Sequence, residues 1–411
     1  MTIKKASKES TTWQVIEGGV TAPQEYLAAG VSSGIKKNGL DLAVIFSSRP
    51  ATAAGVFTLN QVQAAPVLLS KENLKLSRGR ARAVLINSGC ANACTGERGM
   101  KDARLSAQNL ASLLNIDAGQ VLVASTGVIG AFLPMREMLK GISAAASTLN
   151  SKGGLTAAQA IMTTDTREKI IAVEGEIGGK TARIGGMAKG SGMIHPNMAT
   201  MLGCITTDVR IAPGQLSRIL RRITERTFNC LTVDGDTSTN DTIFVIANGA
   251  SEAVAADESS LLAFEKGLTF VCEELAKSIA RDGEGATKFV EITVKGAADF
   301  ESARKAAKSV AHSPLVKTAL YGEELNWGRI LCAVGYSKVT FDPSEIVLSL
   351  NGIPIFRKGA PVSSTRAKAE KAIKEHDLQI EIDLAKGKEC ARVWTCDFSR
   401  EYININASYI S

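Results

Sequence analysis

The 411-residue chain carries 48 Lys and Arg against 41 Asp and Glu, a net charge of +7, with 45% hydrophobic and only 5% aromatic residues. A chain of this length buries a large core and forms more than one structural unit, and no apolar run is long enough to span a membrane. The basic excess is mild and no Lys/Arg cluster is interleaved with aromatics, which argues against nucleic acid as a partner and leaves small anionic ligands.

Residues 1–10 are basic and polar, and no apolar core follows them, so they read as a tail and not as a secretory signal. Eight cysteines without an export signal point to reduced thiols and a cytoplasmic location. Residues 82–87 read as a buried strand and 101–114 as a helix. Val121-Leu122-Val123-Ala124 is a second buried strand, which delivers Ser125-Thr126-Gly127 as a loop at its end. Residues 169–174 and 180–184 flank Gly178-Gly179, a hairpin. Residues 201–208 read as a strand. Leu216, Ile219, Leu220 and Ile223 line one face of a helix opened by Pro213. A strand over 242–247 and a long helix over 259–280 follow. Asn351-Gly352 joins two strands in another hairpin, and three strand-like runs near Leu378, Val393 and Tyr402 close the chain. The mixture is not a strict βαβ alternation, and it predicts sheets covered by helices.

The densest chemical signal is the glycine-rich run Gly185-Gly186-Met187-Ala188-Lys189-Gly190-Ser191-Gly192, followed by His195-Pro196-Asn197-Met198-Ala199-Thr200-Met201-Leu202-Gly203-Cys204. It reads as a self-cleavage site with Ala199–Thr200 as the scissile bond. A threonine hydroxyl is a poor nucleophile until something takes its proton. A free α-amine can do so, because its unperturbed pKa of about 7.7–8.0 lies near working pH. Cutting before Thr200 therefore gives one residue both nucleophile and base. Taken alone, a threonine after an alanine is an ordinary strand or turn residue; small neighbours favour the cut, since Ala199 leaves the carbonyl open and the glycines upstream permit strained, tightly approached backbone. The run lacks the Gly-Lys-Ser/Thr ending of a phosphate loop. The chain has only three histidines, His195, His312 and His376, which makes a histidine metal cluster improbable. Cys90 and Cys94 lack a partnering pair of zinc-site spacing and read as small buried residues.

The segment from Gly185 to Cys204 closely resembles the cleavage region of the ornithine acetyltransferase family of arginine biosynthesis. So do Asn87-Ser88-Gly89-Cys90-Ala91-Asn92-Ala93-Cys94-Thr95-Gly96, with Cys90 where many members have Asn, and Ser125-Thr126-Gly127-Val128-Ile129-Gly130. Met162-Thr163-Thr164-Asp165-Thr166, Asp282-Gly283-Glu284-Gly285-Ala286-Thr287-Lys288, Asn326-Trp327-Gly328-Arg329-Ile330 and the terminal Asn404-Ile405-Asn406-Ala407-Ser408-Tyr409 continue the match in order.

The resemblance implies a mixed α/β fold, an αββα sandwich of the N-terminal-nucleophile-like type with a C-terminal α/β portion. It implies fragments 1–199 and 200–411 after the cut, assembled as a heterotetramer of two of each. Thr200 would be the nucleophile, Thr126 and Gly127 the oxyanion hole, and Thr164, Lys189, Thr200, Glu284, Asn406 and Ser411 the substrate contacts. Many relatives end in Thr where this chain has Ser411; both keep a hydroxyl. The implied reaction moves acetyl from N-acetylornithine to glutamate through acetyl-Thr200, a ping-pong exchange. It calls for no metal and no cofactor, and acetyl-CoA enters only as a co-substrate of a bifunctional enzyme. The alternatives are an N-terminal-nucleophile amidohydrolase or aminopeptidase on the same architecture, and a binding protein that kept the fold.

Overall fold

The computed structural model describes residues 13–195 and 201–408. Two sheets stack face to face. The first has six strands in the order Gln14–Ile16, Lys169–Ile177, Lys180–Lys189, Leu202–Thr207, Thr242–Ala247 and Thr52–Phe57. Its neighbours run antiparallel except Leu202–Thr207 and Thr242–Ala247, which are parallel. The second has four, Tyr26–Val31, Leu42–Ser47, Ala83–Cys90 and Val121–Val128, with only the last pair parallel.

Strand alternation sets the layers. Successive side chains point to opposite faces, so Leu122 and Ala124 enter the core between the sheets while Val121 and Val123 pack outward. Phe244 and Ile246 face inward in the same way, and Ile243 and Val245 outward. Both faces are apolar because both are covered. Helices Ala65–Leu76, Gly96–Leu114 and Met135–Thr148 bury Leu69, Leu110 and Ile142 against the four-stranded sheet. Helices Pro213–Arg226 and Glu258–Arg281 bury Leu216, Ile219, Leu268 and Leu275 against the six-stranded one. The result is the αββα sandwich that the resemblance implied. The C-terminal portion is a six-stranded sheet in the order Ala360–Pro361, Ile353–Arg357, Val347–Leu350, Asp377–Asp383, Phe289–Ala297 and Glu389–Cys396. Helix Glu258–Arg281 belongs to a continuous core that includes this sheet, so the two portions are fused. Among the described residues no helix is long and apolar enough to cross a membrane.

The two hairpins form at Gly178-Gly179 and Asn351-Gly352, each with positive φ at both central residues. Three expectations are corrected. Ser125-Thr126-Gly127 is not a loop: the strand runs on to Val128 because these residues keep pairing with Asn87, Ser88 and Gly89. The run near Tyr402 is the helix Arg400–Ser408. Ser399 Oγ accepts the Glu401 and Tyr402 N–H groups at 3.1 and 3.4 Å, and Phe398 stacks on Tyr402, which fixes the first turn. The Asn/Ile alternation there has no second surface to bury a strand face against. Cys94 is exposed, not buried; its positive φ places it on a turn ahead of helix Gly96–Leu114.

Candidate active site

Several chain ends converge at one mouth of the sandwich. Lys189 closes its strand beside Leu202, which opens the next, and Leu202 stands beside Thr242. Lys169 opens the neighbouring strand beside Ala188. From the other sheet come Thr126 and Gly127. The Asn240 side-chain amide joins the two sheets, donating to the carbonyls of Ala91 and Ser125 at 2.6 and 2.8 Å. The pocket at this mouth is lined by Thr126, Gly127, Thr163, Thr164, Lys189, Asp241, Glu284 and Asn406 among others.

Gly127 has φ of +128°, and a Cβ there would collide with the Gly89 and Cys90 backbone. Only glycine lets the two parallel strands meet here with the backbone open to the pocket. Thr126 Oγ1 accepts a bond from Lys189 Nζ at 3.2 Å, and Thr163 Oγ1 accepts another at 2.8 Å. With a lone pair occupied by the ammonium, the Thr126 hydroxyl proton is free to turn to an oxygen in the pocket. Two of the three ammonium protons of Lys189 are used, and the third remains for an anion. Burial pushes the Lys189 ammonium down, opposed first by Asp165 and then by Asp241 and Glu284.

Behind this wall lies an ion-paired knot. Lys169 Nζ donates to Asp165 Oδ1 at 2.6 Å and to Asp282 Oδ2 at 2.5 Å, with all three side chains at most 3% exposed. Asp165 also accepts the N–H groups of Thr163 at 3.0 Å and Gly190 at 2.7 Å. It thereby holds the chain on either side of the pocket. Burial alone would raise the Asp165 carboxyl, but Lys189, Lys169 and the Gly190 amide bring it down to about 2. Asp282 accepts from the Thr166 amide at 3.1 Å and from its hydroxyl, and its carbonyl accepts from Ser191 Oγ at 2.6 Å. These bonds fix the turn that ends helix Glu258–Arg281 and delivers Glu284, whose N–H donates to the Ser191 carbonyl at 2.9 Å. The Glu284 carboxyl packs on Gly192 and accepts from Asn406 Nδ2 at 2.8 Å. Helix Arg400–Ser408 therefore returns to the site from the far end of the C-terminal sheet.

Thr126, Gly127, Thr164, Lys189, Glu284 and Asn406 thus meet in one pocket. Ala199, Thr200 and Ser411 lie outside the described residues. Leu202, two positions beyond Thr200, lines the pocket. His195, expected in the cleavage turn, packs edge-on against His312 with ring centroids 4.0 Å apart. Burial and then the Lys308 charge hold it at about 4; burial, His195 and nearby lysines hold His312 at about 3. Sequence reading missed the work of Asp165, Lys169, Asn240 and Asp241. Asp165 stood inside a quoted motif, and Asn240-Asp241 directly precedes a β-branched strand; an acid at the threshold of a buried strand was the available signal. The glycines Gly185 and Gly186, read as licence for strained backbone, lie within a regular strand. They are small because the Gly19 carbonyl and the Val271 and Leu275 side chains press on them.

Fold and pocket define a class: an αββα sandwich whose mouth sets a threonine hydroxyl and a left-handed glycine beside a buried lysine. The chain belongs to the ArgJ family, whose model matches residues 27–411. It is 49% identical to the arginine biosynthesis bifunctional protein ArgJ of Symbiobacterium thermophilum over 96% of this chain and 99% of that one. It is 46% identical to the protein of that name from Parasynechococcus marenigrum, over 97% and 96%. Among solved structures, ornithine acetyltransferase from Mycobacterium tuberculosis, complexed with ornithine, is 44% identical with a TM-score of 0.43, covering 46% of this chain and all of its own.

Proposed function

We propose that this chain is an acetyltransferase of arginine biosynthesis that cleaves itself at Ala199–Thr200 and passes acetyl from N-acetylornithine to glutamate through an ester on Thr200. The observation that carries the proposal is the Lys189–Thr126 hydrogen bond at the pocket wall. It leaves a hydroxyl proton beside Gly127 for the oxygen of a tetrahedral intermediate, where each fixed donor is worth on the order of 3 kcal/mol. Lys189 keeps one N–H for a substrate carboxylate. Glu284, steadied by Asn406, supplies negative charge for an amino group. Donor and acceptor are both amino acids, so one pocket serves both half-reactions. The step exchanges an amide for an ester and back and needs no external energy source. The relatives' names, with arginine biosynthesis and bifunctional in them, support the reading and make acetyl-CoA the second donor to assay. In this reading the fragments 1–199 and 200–411 stay together as a heterotetramer in the cytoplasm, with Ser411 completing the substrate contacts.

Intact mass under denaturing conditions, beside Thr200→Ala, tests it. Two fragments in the wild type, the second beginning at Thr200, and a single 43.3 kDa chain without transfer activity in the variant are expected. An active Thr200→Ala protein would refute the mechanism. Acetate release that glutamate leaves unchanged would mark a hydrolase.

A further inference from the structure

Asp241 lines the pocket, is 3% exposed, and has no hydrogen-bond partner for Oδ2 among the described residues. Its backbone is held on both sides. The Thr58 N–H donates to the Asp241 carbonyl at 3.0 Å, and the Thr242 N–H to the Met201 carbonyl at 2.9 Å. A buried carboxyl oxygen without a partner is costly, and fixing the residue in place forbids escape to water. The Ser238 hydroxyl and the Lys189 charge favour its ionised form, yet burial outweighs both. Lys189 gives its bonds to Thr126 and Thr163 and makes no ion pair with Asp241 among the described residues. Among the described residues the carboxyl is thus left without a paired cation.

Strand register points to that cation. Thr242 stands beside Leu202 in the parallel pair, which sets Asp241 beside Met201, the residue after Thr200. Paired strands lie about 4.8 Å apart, within reach of an aspartate side chain. We propose that Asp241 is the counter-ion of the α-amine created when the chain is cut before Thr200, and so a positioning residue for the threonine's base. The inference rests on the proposed cleavage. Hydrolysis of the Ala199–Thr200 bond by water leaves the Ala199 carboxylate and the Thr200 ammonium, which the Asp241 carboxylate then faces. For acyl transfer the ammonium first releases a proton to water, and the Thr200 hydroxyl proton then moves to the free amine as the Oγ–acyl bond forms. That proton later goes to the departing amino group. Asp241 exchanges none with substrate; it stabilises the ammonium and orients it, with Lys189 opposing and Glu284 reinforcing.

Asp241→Asn keeps shape and removes charge. Intact mass reports cleavage, and the pH dependence of reductive methylation at the second fragment's N-terminus reports the amine. The variant is expected to cleave. Its amine should titrate about one unit lower, the acid limb of kcat should move down with it, and kcat should fall about tenfold with KM for glutamate unchanged. Unchanged amine titration in a cleaved variant overturns the inference, as does a rise in KM alone, which would assign Asp241 to a substrate ammonium. Should the variant not fold, cleaved wild type decides: an amine titrating below about 7.7 in this buried site overturns the inference, and a higher value supports it. A wild type that stays whole overturns both readings, and intact mass shows that separately from the titration.

Discussion

Two adjoining regions bury charge in opposite ways. In the knot, Lys169 meets two carboxylates, and their remaining lone pairs are taken by backbone and hydroxyl donors. In the pocket, Lys189 donates to two hydroxyls and faces Asp165 without an ion pair, and Asp241 Oδ2 has no hydrogen-bond partner among the described residues. The two lysines lie at the same end of adjacent strands, with Lys169 beside Ala188. Position does not separate them; partners do. Matched charge holds a structure together, whereas charge left unmatched at comparable burial is held for something that arrives later.

That contrast can be broken experimentally. Lys169→Met leaves two buried carboxylates facing each other and should cost about 3–5 kcal/mol of stability, measured by urea denaturation. A loss under 1 kcal/mol would mean the knot is not structural. Thr126→Val removes the hydroxyl with little change of volume, and kcat should fall about 100- to 1,000-fold with stability nearly intact. An unaltered kcat would take Thr126 out of the chemistry. Lys189→Met should lower kcat/KM for glutamate about 100-fold while shifting stability by less than about 1 kcal/mol. An effect on stability as large as that of Lys169→Met would erase the distinction between the two lysines.

The smallest effect concerns the histidine pair, a third kind of buried group that is neutral when folded. His195 and His312 titrate at about 4 and about 3 in the folded chain, below the unfolded value of about 6.5. The unfolded chain therefore takes up protons first as pH falls. Their contribution is intact above pH 6.5 and declines from there towards 3. Asp165, depressed to about 2, loses its contribution only below the usual carboxylate range. His312→Phe should thus reduce the loss of stability between pH 7.5 and 5 by about 2 kcal/mol, read from urea midpoints, and leave the loss below pH 3 in place. Identical pH dependence in the variant would show that other groups govern the acid limb.

Much of the scaffold was legible because it is local. Apolar runs buried on both faces, the Leu216–Ile223 spacing and the Gly178-Gly179 and Asn351-Gly352 turns each carry their physics within a few residues. The helix Arg400–Ser408 was misread because Asn/Ile alternation has the period of a strand, and only a sheet face to bury would have made it one. The extension of Val121–Val128 was missed for the converse reason: its last residues are held by a partner strand some forty positions away.

For the site, Thr126, Gly127, Thr164, Lys189, Glu284 and Asn406 were named by the resemblance of their motifs to the ornithine acetyltransferase family; their residue types alone are those of ordinary turns and solvated surface. Which charges are matched was decided only in three dimensions. Lys169 and Asp282 are 113 positions apart, and Glu284 and Asn406 are 122 apart. The value of a buried charge depends on what stands within a few ångströms of it. Sequence spacing says nothing about that until the two sheets close and the last helix returns.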